Sequence, residues 1–228
     1  MAGDAGITWL KRFVPEPMAM GHGERLRAGL GIGIGLALTG VFCSPWTDNA
    51  LTAPLLIAPM GASAILMFAV PASPLAQPWS VVGGHLVAAL VGVTAAQWLH
   101  PPLVAAAVAV MVAMLAMSAL RCLHPPSGAI AMIAVLGGPK IVAIGYGFVL
   151  VPVLLNSLVL TAAALVYNNV TGRSYPHRAH PQPTKPVLVL SHEDLDAALS
   201  AYGETLDISR ADLEGLFQDL GLRAKNHK

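Results

Sequence analysis

Charge is what this sequence has least of. Charged residues make up 11% of its 228 positions, where a soluble domain carries about 25%, and their placement excludes more than their number. Between Ala28 and Val170 only Asp48, Arg121 and Lys140 carry a formal charge; every other Lys, Arg, Asp and Glu sits towards the two ends. The long middle is therefore not a soluble core. With 55% hydrophobic residues and a mean hydropathy of +0.66, it reads as a membrane-embedded region with polar flanks. A net charge of +1 gives no general attraction to nucleic acid or to an acidic partner. Cysteine is scarce as well: Cys43 and Cys122 lie in or beside apolar segments, so no disulfide framework is expected. No secretory signal peptide is expected, because the first apolar run starts only near Ala28. The preceding "ITWLKRFV" mixes Trp9, Phe13 and Val14 with Lys11 and Arg12, which suits either a short interfacial helix or a frayed terminus.

Crossing the hydrocarbon core takes about 17–25 apolar residues as helix. Six candidate elements follow: Arg27 to Phe42, Leu51 to Val70, Trp79 to Leu99, Leu103 to Leu120, a short one from Pro126 to Leu136, and a long one from Ile141 to Tyr167 containing Pro152. Within the second and fifth, "PMGASAIL" (59–66) and "PSGAIAMI" (126–133) share Pro-x-Gly-Ala-x-Ala at an offset of 67 residues. The expected architecture is all-α: a polytopic membrane bundle of two inverted three-element repeats, 28–99 and 103–168, with broken or re-entrant helices at the shared motifs. Lys11, Arg12, Arg25 and Arg27 before the first span favour a cytoplasmic N-terminus. An even number of crossings returns the C-terminus to the same side of the cell membrane.

After Tyr167 the character changes. "NNVTGRSYPHRAHPQPTKP" is a polar, proline-rich linker. "SHEDLDAAL" and "SRADLEGLF" each place an acidic residue three positions after a serine, the mark of a helix start. The parts are thus an N-terminal cytoplasmic or interfacial segment (1–24), a transmembrane domain (25–170), a linker (171–190) and a short cytoplasmic helical tail (191–228). The tail helices, about Ser191–Tyr202 and Ser209–Gly221, are too small for a core of their own and must dock on something or pair with another subunit.

A proline at the first helical position loses no hydrogen bond, so Pro59 and Pro126 read as helix starts. Gly61, Ala62 and Ser63 follow the first, and Ser127, Gly128 and Ala129 the second, leaving first-turn amides open to a ligand. A helix N-terminus binds anions readily, and two such ends near the midplane would cradle a small anion. The alternative is that the glycines and alanines serve tight helix packing. His124, just before the double proline, offers a hydrogen bond or a proton, or is a loop histidine at the interface. His85 falls inside the third span, where a histidine needs a partner. Asn156 with Ser157 is interhelical glue or a ligand contact. Arg121 reads as a snorkelling topology marker.

At these residues the sequence resembles the HPP family of integral membrane proteins, through His124-Pro125-Pro126, "RCLHPPSGAIAMIAVLGG" (121–138) and "APMGASAILMFAVPASPLAQPWSVVGGHLVAALVGV" (58–93). The resemblance covers about residues 20–170. It implies a multi-pass membrane protein, some members of the family being associated with nitrite transport. In longer relatives the tail segment leads into paired nucleotide-binding CBS domains, which this chain is expected to lack. The leading expectation is a transporter or channel for a small monovalent anion, nitrite or else nitrate, with no cofactor or bound metal and with homo-oligomers in the bilayer. Two alternatives stand beside it. Met111, Met114 and Met117 before Cys122 and His124 suit a soft metal such as copper, and the tail suits a scaffold or sensor. An enzyme is not expected, since the apolar region holds no paired carboxylates and no serine paired with a base.

Overall fold

In the computed structural model the described residues are 13, 20–43, 52–178, 192–202 and 207–226. The segment "ITWLKRFV", apart from Phe13, lies outside them. Among the described residues the elements of the membrane part are all helical: α1 (His22–Cys43), α2 (Thr52–Ala69), a 3-10 turn (Pro74–Ala76), α3 (Pro78–Trp98), α4 (Pro102–Ala119), α5 (Ser127–Leu136), α6 (Pro139–Ile144), a π-helical segment (Val149–Leu154) and α7 (Leu155–Val170). Two tail helices follow, α8 (His192–Tyr202) and α9 (Arg210–Asn226). Among the described residues four stretches are long and apolar enough to cross a membrane: α1, α3, α4 and the π segment continued by α7. Their ends obey the proline logic of the sequence, for Pro78, Pro102 and Pro139 each open a helix, where a missing amide hydrogen costs nothing.

Two elements differ from the sequence expectation. The sixth span is not continuous from Ile141 to Tyr167. Gly145 turns the chain at φ 57°, and Val151, before Pro152, is non-helical at φ −130° and ψ 112°, the extended geometry that a following proline imposes. Pro59 also does not start a helix; it lies inside α2. The second motif does coincide with a helix start, Pro126 standing immediately before Ser127. Helix α5 has 10 residues, which rise about 15 Å, half the hydrocarbon thickness of about 30 Å.

Close backbone approach builds the bundle. A Cβ on Gly92 would stand 2.7 Å from the Ala131 carbonyl, and one on Gly84 2.8 Å from the Cys122 carbonyl, so α3 and α5 lie side by side with the same chain direction. A Cβ on Gly31 would meet Phe68 Cδ1 at 2.5 Å and Tyr167 at 2.6 Å, which seats α1 between α2 and α7. Helix α1 packs on α2 and α7, and α4 packs on α5 and α3. Helix α2 further packs on α7, and α5 on α3. Exchanging α1 with α4, α2 with α5 and α3 with α7 maps each of these pairs onto another.

One end of the bundle is held by polar contacts. Arg27 bridges Glu24 at 2.7 Å, the Asn168 side chain at 3.0 Å and the Phe68 carbonyl at 2.7 Å. Arg173 joins the same Glu24 at 2.7 Å. The buried Tyr175 donates to the Ala76 carbonyl at 2.7 Å, and burial holds its phenol proton well above the ordinary range. The linker's first residues therefore fold back onto the bundle. Asp207 accepts from Ser73 at 2.8 Å and Asp212 pairs with His177 at 2.8 Å, which docks the start of α9 on this face. Arg25, Arg121 and Arg178 are exposed near the same end, whereas Lys140 belongs to the other, where Thr94 meets Tyr146.

The α3–α5 contact gives a direct test. Gly92→Leu should destabilise the purified protein by about 1–3 kcal/mol through overpacking. Gly61→Ala, whose Cβ would meet nothing within 4 Å, should leave the unfolding midpoint unchanged. Equal midpoints for the two variants in a detergent thermal melt would refute this packing.

Candidate functional site

Inside the bundle the apolar packing is interrupted by a chain of side-chain hydrogen bonds. Ser63 Oγ lies 2.8 Å from His124 Nε2 and 3.1 Å from His85 Nε2. His85 Nδ1 lies 2.7 Å from Ser157 Oγ. His124 Nδ1 lies 2.7 Å from the Leu75 carbonyl. Ser63, His85, His124 and Ser157 are all fully buried. Ser63 and His85 come from the first half of the transmembrane region, His124 and Ser157 from the second, so the chain ties the halves together. His85 and Ser63 each lie within about one helical turn of the middle of their own helix, and Ser157 does so in the stretch formed by the π segment and α7 together, counting 3.6 residues per turn.

Local sequence explains the arrangement. After α4 ends at Ala119, Arg121 adopts φ 56° and the backbone turns inward, bringing His124 against α3. Gly83 and Gly84 admit this turn: a Cβ on Gly83 would stand 3.1 Å from Cys122 Cβ, and one on Gly84 2.9 Å from His124 Cβ and 3.0 Å from Ser127 Oγ. The next residue on α3 is His85. The run Gly83-Gly84-His85 is thus a seat for the turn followed by a side chain that reaches past it. Sequence reading flagged His85 and missed the glycines; their adjacency to a histidine inside a span was the available signal. The Leu75 carbonyl had none, being a backbone atom of the 3-10 turn.

The protonation pattern follows from the partners. A carbonyl only accepts, so His124 Nδ1 carries the proton that is donated to Leu75. In a neutral ring Nε2 is then an acceptor, and the Ser63 hydroxyl donates to it. That uses the one hydroxyl proton of Ser63, so His85 must donate from Nε2 to Ser63 Oγ. His85 Nδ1 is then an acceptor, and the Ser157 hydroxyl donates to it. Two carbonyls compete for the hydroxyl protons, Pro59 at 3.1 Å from Ser63 Oγ and Val153 at 2.7 Å from Ser157 Oγ. Giving either proton to a carbonyl would leave an imidazole nitrogen facing an oxygen lone pair. With neutral rings, every bond therefore points from Ser157 towards Leu75. The two rings pack edge to face, with centroids 4.9 Å apart.

The amides of the second motif are not open to a ligand as expected. Ser127, Gly128 and Ala129 donate to the carbonyls of His124, Pro125 and Pro126 at 2.9, 3.1 and 3.1 Å. With Pro59 inside α2, the picture of two facing helix N-termini gives way to one built on side chains. Gly61 and Ala62 lie on α2 beside Ser63, half-buried and exposed respectively; Ala129 is exposed, and Pro126 and Gly128 are half-buried. Ser127 is fully buried, next to the turn, and its hydroxyl has no hydrogen-bond partner among the described residues; the same holds for Asn156 Oδ1, one residue from Ser157. The methionine run does not gather on one face: Met111 and Met114 are exposed while Met117 is buried. Among the described residues no three His, Cys, Asp or Glu side chains form a metal-holding group. A cavity of about 1060 Å³ lies elsewhere, at the polar end between Glu24, Arg173, His177 and Asp212.

Removing the shared hydroxyl tests the network. Ser63→Ala leaves one imidazole acceptor and one donor unmet and should cost about 1–3 kcal/mol. Ser118→Ala removes an exposed hydroxyl that bonds only the Met114 carbonyl and should cost nothing measurable. Equal unfolding midpoints in detergent would contradict the bonding described.

Two curated relatives from Dictyostelium discoideum are similar, and each is named only as a transmembrane protein. One is 40% identical over 127 residues, covering 54% of this chain and 44% of the relative. The other is 39% identical over 126 residues, covering 53% and 40%. The chain thus spans less than half the length of either. No solved structure matches. The family described as "HPP, transmembrane region" matches residues 17–176, a stretch that includes α1 to α7 and the whole hydrogen-bonded chain, and the protein belongs to this family of membrane proteins.

Proposed function

We propose that this protein carries a small monovalent anion across a membrane, with nitrite as the first candidate and nitrate as the second. The observation that carries the reading is the buried chain of Ser157, His85, Ser63 and His124 in an otherwise apolar bundle. Polar and titratable side chains at such depth are costly and tend to mark substrate or proton pathways. Uncharged N–H and O–H groups suit a singly charged oxyanion: they can replace its hydration shell, and with no permanent cation bonded to them they can release it. Ser127, buried beside His124 with a hydroxyl unpartnered among the described residues, supplies a further donor, and Asn156 stands next to Ser157. The choice of nitrite rests on the family resemblance, in which some members are associated with nitrite transport. Every group in the chain is fully buried, so the arrangement corresponds to an occluded state that opens to either side in turn.

The arginine-bearing end is assigned to the cytoplasm, since Arg25, Arg27, Arg121, Arg173 and Arg178 gather there and positive side chains are retained on that side. Both the start of α1 and the tail helices belong to this end. The function proposed is transport rather than catalysis. Against the sequence expectation, Ser63 does pair with a base, His124 at 2.8 Å, but both are fully buried. A homo-oligomer in the bilayer is the assembly proposed with it.

Purified protein reconstituted into vesicles should take up nitrite faster than protein-free vesicles. His124→Ala should cut the protein-dependent rate by roughly tenfold or more, which corresponds to about 1.4 kcal/mol or more, close to the lower end of the range of about 1.5–3 kcal/mol for a hydrogen bond to a charged group. Uptake no faster than in protein-free vesicles, or unchanged in His124→Ala, would defeat the reading.

A further inference from the structure

The one-way orientation of the buried hydrogen bonds has a chemical consequence. When one proton is added, His85 becomes doubly protonated: Nδ1–H donates to Ser157 Oγ, and the Ser157 hydroxyl turns to the Val153 carbonyl at 2.7 Å. His85 Nε2–H still donates to Ser63 Oγ, and the Ser63 hydroxyl still donates to His124 Nε2. All groups remain satisfied. The charge can then move without any atom travelling far. The Nε2–H bond of His85 breaks as an O–H bond forms at Ser63, while the original O–H bond of Ser63 breaks as an N–H bond forms at His124 Nε2. His85 is left neutral and His124 is now the cation. Its Nδ1–H, already directed at the Leu75 carbonyl, is the proton to be lost. That contact opens, the N–H bond breaks and the proton passes to water at the polar end. Both rings and both hydroxyls then turn back to their first orientation. Leu75 is half-buried, so the exit lies one backbone group from the polar end.

We propose that Ser157, His85, Ser63 and His124 form a relay that carries one proton at a time towards the arginine-bearing end, in step with the transported anion. The limit of one comes from geometry, because two imidazolium rings with centroids 4.9 Å apart would repel strongly in an apolar interior. Among the described residues every hydrogen-bond partner of the two rings is uncharged. The hydrogen-bonding groups facing the rings are Ser63 from α2, Ser157 from α7 and the Leu75 carbonyl, with Ser127 of α5 and Cys122 alongside. At the polar end Arg121 is exposed, Arg27 is engaged with Glu24, and Asp207 accepts from Ser73, two residues before Leu75. Among the described residues no carboxylate bonds either ring, the Asp207 carboxylate being held by Ser73 at the polar end, so a singly charged anion can serve as the counter-charge of the buried cation. One proton per anion makes the transport electroneutral. This stoichiometry rests on the anion reading above; the relay itself rests on the bonds.

Two measurements separate the parts. In vesicles holding the full-length chain and an internal pH dye, with voltage clamped by valinomycin and potassium, a nitrite pulse should move one proton per nitrite after subtraction of protein-free vesicles. The rate should not respond to the imposed voltage. Ser63→Thr, which keeps the hydroxyl, should keep this ratio, and Ser63→Ala should lose the protein-dependent proton movement. Nitrite uptake without protons, or with the same ratio in Ser63→Ala, would overturn the relay while leaving anion transport standing. If no nitrite is carried, the anion reading fails and the relay is judged by nitrogen-15 histidine spectra of the protein in lipid nanodiscs. One shared protonation step moving the His85 and His124 signals together, retained in Ser63→Thr and split in Ser63→Ala, supports it. Two independent steps in the unsubstituted protein overturn it.

Discussion

A carbonyl oxygen can only accept, and the 2.7 Å contact between the Leu75 carbonyl and His124 Nδ1 therefore sets the protonation of every group behind it. Each further bond is forced in turn, through Ser63, His85 and Ser157, because each hydroxyl has one proton and each neutral imidazole has one donor and one acceptor. An apolar bundle has no water with which to repair a wrong choice, and an orphaned polar group there costs several kcal/mol. The same constraint explains why the helices must meet so closely. The chain of bonds closes only if α2, α3, α7 and the turn before α5 all reach one small volume, which the absent side chains of Gly83 and Gly84 permit.

The family motif acquires a physical meaning on this view. The two prolines after His124 end the inward turn and launch α5, and they fix the backbone on which the imidazole is mounted. The turn consumes the amides of Ser127, Gly128 and Ala129, so a ligand must be met by side chains. Two halves of the sequence with similar layouts thus meet at a centre that is not similar: Ser63 and His85 from one, His124 and Ser157 from the other. Asymmetric chemistry placed where two comparable halves join gives the bonds a direction, which a symmetric cluster would lack.

Much of the fold was legible because bilayer thickness and proline placement are written directly in the sequence. The boundaries of α3 and α4 follow from Pro78 and Pro102, and the shortness of α5 from the distance between His124-Pro125-Pro126 and the Gly137-Gly138-Pro139 run. Pro59 misled because a proline inside a membrane helix is tolerated when the surroundings satisfy the freed carbonyl, and the sequence does not tell that case from a helix start. The break before α7 was hidden for a related reason: the residues from Val149 to Leu154 are as apolar as any helix, and only Val151 preceding Pro152 hinted at the extended link. His85, His124 and Ser63 were visible singly as polar groups in greasy runs. Their mutual contact was not, since it depends on helix rotation, and the Leu75 carbonyl has no residue type to betray it. The methionine run illustrates the opposite error, in which regular spacing along α4 reflects a helix surface and not a gathered site.

The central claim is that His85 and His124 are energetically one unit joined by Ser63. A double-mutant cycle tests it most directly, with unfolding free energies measured for His85→Ala, His124→Ala and the double variant in the same detergent. The account predicts that the two losses fail to add, with a coupling of about 0.5–3 kcal/mol, the range for residues in one hydrogen-bond network. Losses that add to within about 0.3–0.5 kcal/mol would mean two histidines that happen to be neighbours, and would contradict it.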